Sequence, residues 1–254
     1  MNLILISPEE LDATGRARLI DHRAEHIRNV LRAEAGKVLR VGLLNGPFGT
    51  GTVETIMVDE VVLACEFEDE KPPRPSIDLL LAMPRPKVLK RLWAQFAALG
   101  VGRIFVTNAE KVERYYFDTH ILEPEFYNAR LIEGLQQARD THLPEVTIVK
   151  NLKPFLETEK FPTIGKKILA DPSGTQTIFQ TLETGEAGHF KFFQGLEKRV
   201  LLAIGPEGGW TPYELELFKP HGFEVFGMGP RILRTDTACV ALLGMISEIQ
   251  RENL

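Results

Sequence analysis

The chain has 254 residues, of which 44% are hydrophobic and 26% charged, and its net charge is −5. This balance is typical of a protein with a full apolar core, and it excludes collagen-like, disordered and disulfide-framework proteins. No apolar run approaches the ~18 residues of a membrane span, and the apolar start, residues 1–6, is too short for an export signal. The only cysteines, Cys65 and Cys239, lie far apart. We therefore expect a cytoplasmic protein with no disulfide and no metal site.

A proline-rich seam, Lys71-Pro72-Pro73-Arg74-Pro75, follows the acidic run Glu66–Glu70 and predicts a linker. It divides the chain into residues 1–73, with 8 basic and 13 acidic side chains, and residues 74–254, with 22 of each. The overall charge argues against indiscriminate binding to nucleic acid. Two local basic stretches, within 16–40 and 74–114, are either polyanion-binding patches or ordinary solvated surface.

The first part predicts a small β-rich barrel. A basic helical stretch at about 22–33 precedes strands at 38–43, 52–56 and 61–65, and 45–51 is a turn. Within the helical stretch, His22 and His26 match the pattern His-x-x-Glu-His of some zinc enzymes. Because no third ligand stands out, a solvated basic helix that touches phosphates is the preferred interpretation.

After the seam, near-continuous apolar strands alternate with helices. Strands are predicted at 77–83, 103–107, 146–149, 168–170, 200–204 and 223–226, with helices at 86–99 and after Pro124. Such a pattern indicates a parallel sheet covered on both faces, so the fold class is α/β. Ligands of these sheets bind at the carboxyl ends of the strands.

The sharpest local motif is Ile204-Gly205-Pro206-Glu207-Gly208-Gly209-Trp210-Thr211-Pro212-Tyr213-Glu214. A strand enters a glycine loop that lets the main chain approach a ligand closely, although a tight turn with no ligand is equally compatible. Thr211 is predicted to cap the next helix, with Pro212 at its first position and Glu214 completing a capping box. Trp210 either covers a ligand or packs against the loop.

A second motif, Met228-Gly229-Pro230-Arg231-Ile232-Leu233-Arg234-Thr235-Asp236-Thr237-Ala238, also follows a strand and opens a helix. Arg231 and Arg234 suit an anion in a fixed geometry, or are two surface arginines of a loop. The helix is predicted to bury Ala238, Leu242, Met245 and Ile249 on one face.

Together, these two motifs resemble the bacterial ribosomal RNA small-subunit methyltransferase E family of the knotted SPOUT methyltransferases. The resemblance extends to His26-Ile27-Arg28-Asn29-Val30-Leu31-Arg32, where the family has a PUA-like RNA-binding barrel. It implies a SPOUT-type parallel sheet with a trefoil knot at 74–254, a PUA-like barrel at 1–73, and a homodimer. It also implies S-adenosylmethionine as the methyl donor and N3 of a uridine in small-subunit ribosomal RNA, or in the assembled subunit, as the target.

By resemblance, a donor site is expected at the two loops and at one earlier strand end: Ala170, Ile204, Gly205, Gly209, Met228, Gly229, Ile232, Leu233, Thr237 and Ala238. RNA contacts are expected from Arg23, His26, Arg28 and Arg32. The chain departs from the family pattern at Asp236, where most members have Glu, and in the segments 98–101 and 136–140. These departures bear on the acceptor RNA more than on the donor.

For catalysis, we expect Arg234 or Arg231 to stabilise charge on the uracil carbonyls or to hold a phosphate. Glu207 or Asp236 either accepts the N3 proton or braces its loop. Two alternatives stay open at this point. One is a methyltransferase acting on a transfer-RNA base or a ribose 2′-hydroxyl, and the other is a non-catalytic RNA-binding or ribosome-assembly protein of the same fold.

Overall fold

The computed structural model describes residues 2–159, 161, 164–182 and 199–251. The chain divides into two compact units, Met1–Arg74 with Ala129–Leu143, and Pro75–Asn128 with Pro144–Leu254. Among the described residues, no helix combines the length and apolar character needed to cross a bilayer.

The first unit contains a five-stranded mixed sheet that curls around its own core. The strands are β1 (Ile4–Ile6), β2 (Arg16–Leu19), β3 (Val38–Leu43), β4 (Phe48–Ile56) and β5 (Val61–Phe67), in the order β1-β3-β4-β5-β2. Only the β1–β3 pair is parallel. Alternate residues face inward, as expected for a sheet with one buried face, and Leu19, Val41 and Leu63 are fully buried.

The helical stretch predicted at 22–33 is shorter than expected. A four-residue helix, α1 (His22–Glu25), continues as a π-helical turn over His26–Val30. The chain then turns because Arg32 adopts the left-handed conformation, with φ of 46°. The amide of Leu31 closes the wider turn by donating to the carbonyl of His26, 3.0 Å away.

The turn predicted at 45–51 is wrong in its second half, because β4 begins at Phe48. The two glycines that suggested a turn permit close strand pairing instead. A Cβ at Gly49 would lie 2.2 Å from the carbonyl oxygen of Glu66, and one at Gly51 would lie 2.7 Å from Val41 Cγ1. The short strands β1 and β2 were not predicted from the sequence.

The second unit contains six parallel strands in the order β11-β9-β10-β6-β7-β8. Their bounds are β6 Ile77–Ala82, β7 Val101–Thr107, β8 Glu145–Val149, β9 Lys166–Ala170, β10 Val200–Ile204 and β11 Phe223–Phe226. These bounds confirm the six predicted strands, and the parallel sheet confirms the predicted α/β class. Every residue of β6 and β10 is buried, so both faces of the central strands are covered.

The remaining helices are α2 (Pro86–Ala98), α3 (Pro124–Ala138), α4 (Leu152–Thr158), α5 (Ile178–Leu182), α6 (Pro212–Phe218) and α7 (Thr235–Arg251). Helix α2 buries Leu89, Leu92, Trp93 and Phe96. Helix α7 packs on β6, β10 and α2. Its buried face carries Cys239, Leu242, Leu243, Ile246 and Ile249, so the predicted positions Ala238 and Met245 lie at the margin of that face and are only partly buried.

Candidate functional site

Three parallel strands end side by side in the second unit. Ala170, the last residue of β9, lies in register with Ile204 at the end of β10 and with Phe226 at the end of β11. The loop after each strand therefore emerges at the same edge of the sheet. This is the edge at which open α/β sheets bind their ligands.

The glycine loop after β10 enters α6 through the predicted capping box, which the structure confirms. The hydroxyl of Thr211 accepts the amide of Glu214, and one carboxylate oxygen of Glu214 accepts the amide of Thr211, 2.8 Å away. Gly209 has φ of 70°, a conformation that side chains disfavour. The loop is thus held at a fixed geometry by its own helix start.

The loop after β11 covers the same edge of the sheet and enters α7 at Thr235. Gly229 has φ of 84°, which lets the main chain reverse before Arg231. The first turn of α7 is closed by the amide of Ala238, which donates to the carbonyl of Arg234 at 2.8 Å.

A cavity of about 260 Å³ lies between the loops, near the lower end of the ~300–1,000 Å³ typical of small-molecule sites. Its lining includes eleven of the residues singled out from the sequence: Ala170, Ile204, Gly205, Glu207, Gly209, Met228, Gly229, Arg231, Ile232, Leu233 and Ala238. Two others, Thr237 and Arg234, are exposed and do not line the cavity. The lining is mostly apolar, and its charged members are Asp171, Glu207 and Arg231.

Several lining residues were not predicted from the sequence: Asp171, Pro172, Pro206, Gly208, Phe226, Thr235 and Leu242. Asp171 directly follows β9, the strand that lies between β10 and β11, so the rule for parallel strand ends was a signal for it. Its Oδ1 accepts the amide of Ser173 at 2.9 Å and the hydroxyl of Ser173 at 2.6 Å. The carboxylate is therefore held in place at the cavity wall.

Trp210 packs against the loop, which is one of the two roles considered for it. Its indole is buried, edge-on to Phe218 with ring centroids 5.0 Å apart, and the residue also lines the cavity. A Cβ at Gly205 would lie 3.1 Å from the indole nitrogen, which is a tight contact. A larger residue at position 205 would therefore have to displace this ring.

The two acidic residues considered as proton acceptors both bind neighbouring elements. Oε1 of Glu207 accepts the amide of Arg85 at the start of α2, 3.0 Å away. Asp236 Oδ2 lies 2.9 Å from the guanidinium of Arg91 on α2. A carboxylate at a helix N-terminus is favourably placed, so the Glu207 contact stabilises the start of α2.

The two arginines of the second loop differ in position. Arg231 lines the cavity, whereas Arg234 lies outside it at the start of α7. Both side chains are exposed, and within the described residues no ion pair or hydrogen bond holds either guanidinium. Arg231 is therefore the arginine available to a ligand in the cavity.

The RNA-contacting residues expected in the first unit have different environments. Arg23 is buried, and its guanidinium donates to Glu10, Asp21 and the carbonyl of Leu5. The geometry thus supports a structural role for Arg23. Arg28 is half-buried and donates to the carbonyl of Met57 at 3.0 Å, His26 is half-buried, and Arg32 is exposed.

The histidines of the His-x-x-Glu-His pattern are not part of a metal-binding cluster in the described part of the chain. No three His, Cys, Asp or Glu side chains come together there. His22 lies on α1 beside Asp21, with Nδ1 3.9 Å from the carboxylate.

Comparison with known proteins adds the family. Residues 70–247 match the model of the RNA methyltransferase domain. The chain is 32% identical to the ribosomal RNA small subunit methyltransferase E of Treponema pallidum, over 97% of this chain and 90% of that protein. It is 26% identical to the ribosomal RNA small subunit methyltransferase E 1 of Borreliella burgdorferi, over 95% of each chain.

Solved structures share the fold along the whole chain. The ribosomal RNA small subunit methyltransferase E of Neisseria gonorrhoeae, solved bound to S-adenosyl methionine, superposes with a TM-score of 0.73 at 20% identity, covering 98% of each chain. A probable rRNA-methyltransferase from Porphyromonas gingivalis gives 0.74 at 22% identity, covering 99% of this chain and 100% of that one. These matches show that the chain belongs to the RNA methyltransferase domain family and, within it, to the family of the ribosomal RNA small subunit methyltransferases E.

Proposed function

We propose that the chain transfers a methyl group from S-adenosylmethionine to N3 of a uridine in small-subunit ribosomal RNA. The observation that carries the proposal is that the loops after β9, β10 and β11 share one cavity. Membership of the RNA methyltransferase family supports the reaction class. The resemblance described above supplies the target atom and the type of RNA.

The residues of the cavity fit this donor. Ile204, Leu233 and Leu242 offer apolar walls to an adenine ring. At Gly209 and Gly229, a Cβ would meet nothing within 4 Å, so open space adjoins the main chain there. The carboxylate of Asp171 complements the positive charge that the sulfonium and amino groups carry.

In this reaction the residues of the chain mainly position the two substrates and stabilise the charge that develops on the acceptor. The donor, when bound, supplies a methyl carbon activated by the sulfonium charge, and transfer leaves a neutral thioether. The two loops align the acceptor nitrogen with that carbon. Arg231, which lines the cavity, stabilises the negative charge that develops on the uracil carbonyls as N3 loses its proton.

The N3 proton leaves to water at the open side of the cavity. Of the two carboxylates considered as acceptors, Asp236 pairs with Arg91 and does not line the cavity, and Glu207 uses Oε1 to accept the backbone amide of Arg85. The target base must be unpaired or flipped out of a helix to reach the site. We further propose that the first unit holds the RNA as a PUA-like barrel, that the second unit is knotted, and that a homodimer acts in the cytoplasm.

The proposal is tested by incubating the protein with undermethylated small ribosomal subunits and tritiated S-adenosylmethionine, followed by mass spectrometry of the digested RNA. We expect one new N3-methyluridine. A methyl group on a transfer RNA or on a ribose 2′-hydroxyl would identify the alternative acceptors. Failure to bind the donor in calorimetry would indicate a non-catalytic RNA-binding protein.

Within the same assay, Arg231→Ala should lower kcat/KM by about 10²–10³-fold, the usual cost of losing a group that stabilises transition-state charge. Arg234→Ala should cost less, because that side chain lies outside the cavity. Lys153→Ala, on the exposed side of α4, is the charge-matched control. Full activity of Arg231→Ala would contradict the role given to this arginine.

A further inference from the structure

A second surface adjoins the cavity on the side of the glycine loop. Glu207 lines the cavity and accepts the amide of Arg85. Tyr115 lies in a 3-10 turn over Arg114–Phe117, which begins three residues after Lys111. Desolvation is the main reason that the pKa of this phenol lies above its ordinary value, Tyr116 and Glu113 also raise it, and Arg85 acts in the opposite direction. We call Arg85, Lys87, Lys111, Arg114 and Tyr115 the rim surface.

Lys111 links the rim surface to the glycine loop, because its ammonium donates to the carbonyl of Gly208 at 2.8 Å. The amide of the preceding residue, Glu110, donates to Oε1 of the buried carboxylate of Glu214 on α6 at 2.8 Å. The same carboxylate closes the capping box of α6. The segment that carries Lys111 is therefore fixed beside the glycine loop.

The charge of the rim surface favours a polyanion. Residues 85–91 contain four basic side chains and no acidic one, of which Arg91 is paired with Asp236. Residues 110–114 contain two basic and two acidic side chains. The basic members Arg85, Lys87, Lys111 and Arg114 are all exposed.

Tyr115 adds an aromatic face to these charges. Tyr115 is 64% exposed. A ligand that covered its ring would remove apolar surface from water, which is favourable. Its ring lies at 85° to that of Tyr116, with ring centroids 4.9 Å apart, and more than half of the surface of Tyr115 stays open to solvent. Exposed aromatic rings among basic side chains are the combination that binds single-stranded nucleic acid, through base stacking and phosphate contacts.

We propose that the rim surface binds the single-stranded RNA next to the target uridine, with one base stacked on Tyr115 and phosphates held by Arg85, Lys87 and Arg114. This inference rests on the proposed function for its choice of RNA. It adds a substrate-binding surface within the second unit. Stacking of a neighbouring base there would also help to keep the target nucleotide unstacked and within reach of the cavity.

The test measures binding of a short, fluorescein-labelled oligouridylate by fluorescence anisotropy. Tyr115→Ala should raise the Kd roughly tenfold, which is within the effect of losing one base–aromatic stack. Tyr115→Phe keeps the ring and should stay within about twofold of the unchanged protein. Arg114→Ala should reduce the slope of log Kd against log salt concentration by about 0.7, the value for one phosphate contact on a single strand, unlike the control Lys153→Ala.

Methyl transfer to undermethylated subunits provides the second readout. For Tyr115→Ala, KM for the subunit should rise by a similar factor, while kcat and the Kd for S-adenosylmethionine stay unchanged. Equal binding and KM for Tyr115→Ala and the unchanged protein would overturn the inference, as would a loss in Tyr115→Phe equal to that in Tyr115→Ala.

The outcomes for the two proposals are separate. If the unchanged protein transfers no methyl group, the proposed function fails, and the oligouridylate titration still decides the rim surface. If the unchanged protein methylates normally but Tyr115→Ala binds the oligouridylate and the subunit as well as the unchanged protein does, the inference fails and the proposed function stands. Should Tyr115→Ala not fold, as judged by circular dichroism, the comparison of Lys87→Ala and Arg114→Ala with Lys153→Ala decides the question.

Discussion

At the scale of single residues, Glu207 shows how one hydrogen bond separates two roles that the sequence leaves open. Its carboxylate lines the cavity, as expected of a proton acceptor, and yet Oε1 accepts the amide of Arg85. If Glu207 only holds the start of α2, it needs an oxygen that accepts the amide of Arg85. If Glu207 accepts the N3 proton, it needs a carboxylate. Replacement by Gln keeps the oxygen acceptor and removes the carboxylate, so it separates the two roles.

We expect Glu207→Gln to keep methyl transfer within about threefold, because the amide oxygen of Gln still accepts the bond from Arg85. Glu207→Ala leaves that amide without its partner and should lower kcat/KM by about tenfold or more, since small displacements of loops are costly in catalysis. Steady-state kinetics with undermethylated subunits measures both. Equal losses in the two variants would identify Glu207 as the base.

At the scale of elements, the amino end of the parallel sheet contains a buried ion-pair network. Asp78 on β6 is fully buried and accepts hydrogen bonds from Arg103 on β7, 2.7 Å away, and from Arg199 just before β10. Arg199 also donates to the carbonyl of Pro75 at 2.9 Å. Three neighbouring strands are therefore joined by one carboxylate at the end opposite the cavity.

Removal of this carboxylate should destabilise the second unit. Asp78→Ala leaves two part-buried guanidinium groups without their partner, and we expect a loss of about 3–5 kcal/mol in the free energy of unfolding. Urea denaturation followed by circular dichroism measures it. Glu145→Ala, a change of the same charge at an exposed position of β8, should cost far less. A loss below about 1 kcal/mol for Asp78→Ala would show that the network contributes little.

The first unit has a corresponding network around Arg23, and it predicts a pH dependence. Burial raises the pKa of Glu10, but hydrogen bonds from Arg23 and from the amide of Ser7 outweigh it, so this pKa lies below its ordinary value. The pKa of Asp21 is lowered in the same way. Carboxyls with a lowered pKa stabilise the fold above the unfolded pKa, near 4, and this stability is lost as the pH falls through the folded pKa.

We therefore expect the urea midpoint of the first unit to fall below about pH 4. In Glu10→Gln the fall should be smaller, because one of the carboxyls no longer titrates. Glu34→Gln, an exposed position, is the control. An unchanged acid profile in Glu10→Gln would contradict a stabilising contribution from this ion pair.

At the scale of the whole molecule, two compact units each have a core of their own. The cavity is lined by residues of the second unit alone. Donor binding should stabilise the folded protein by about 2.7 kcal/mol when the donor is present at 100 times its Kd.

A thermal shift assay measures this stabilisation. S-adenosylmethionine should raise the Tm of the unchanged protein and of Lys153→Ala equally. Gly205→Val should abolish the shift, because its side chain meets the indole of Trp210 and intrudes on the cavity lining. The comparison is made within each variant, with and without donor, so a lower starting Tm does not affect it. A normal shift in Gly205→Val would place the donor elsewhere.

Local patterns predicted the elements of the second unit well. Continuous apolar strands and the helix-start chemistry of Thr211, Pro212 and Glu214 depend on neighbouring residues, so the chain sequence carries them directly. The first unit was harder, since β1 and β2 are short and the glycines of β4 are explained only by their partner strands. The role of Arg23 also depends on distant partners: in the sequence it belongs to a basic stretch, and in the fold it belongs to a buried network.

The sequence alone predicts an α/β class and two strand-end loops, because periodicity and helix-start motifs are properties of the chain, and the resemblance of its two motifs indicates the family. Only the tertiary structure decided which side chains share the cavity. It joined Ala170 and Asp171 to loops more than thirty residues away, and it left Arg234 and Thr237 outside. The physical reason is that strand order and hydrogen-bond partners are set by packing between distant segments, on which local sequence carries no information.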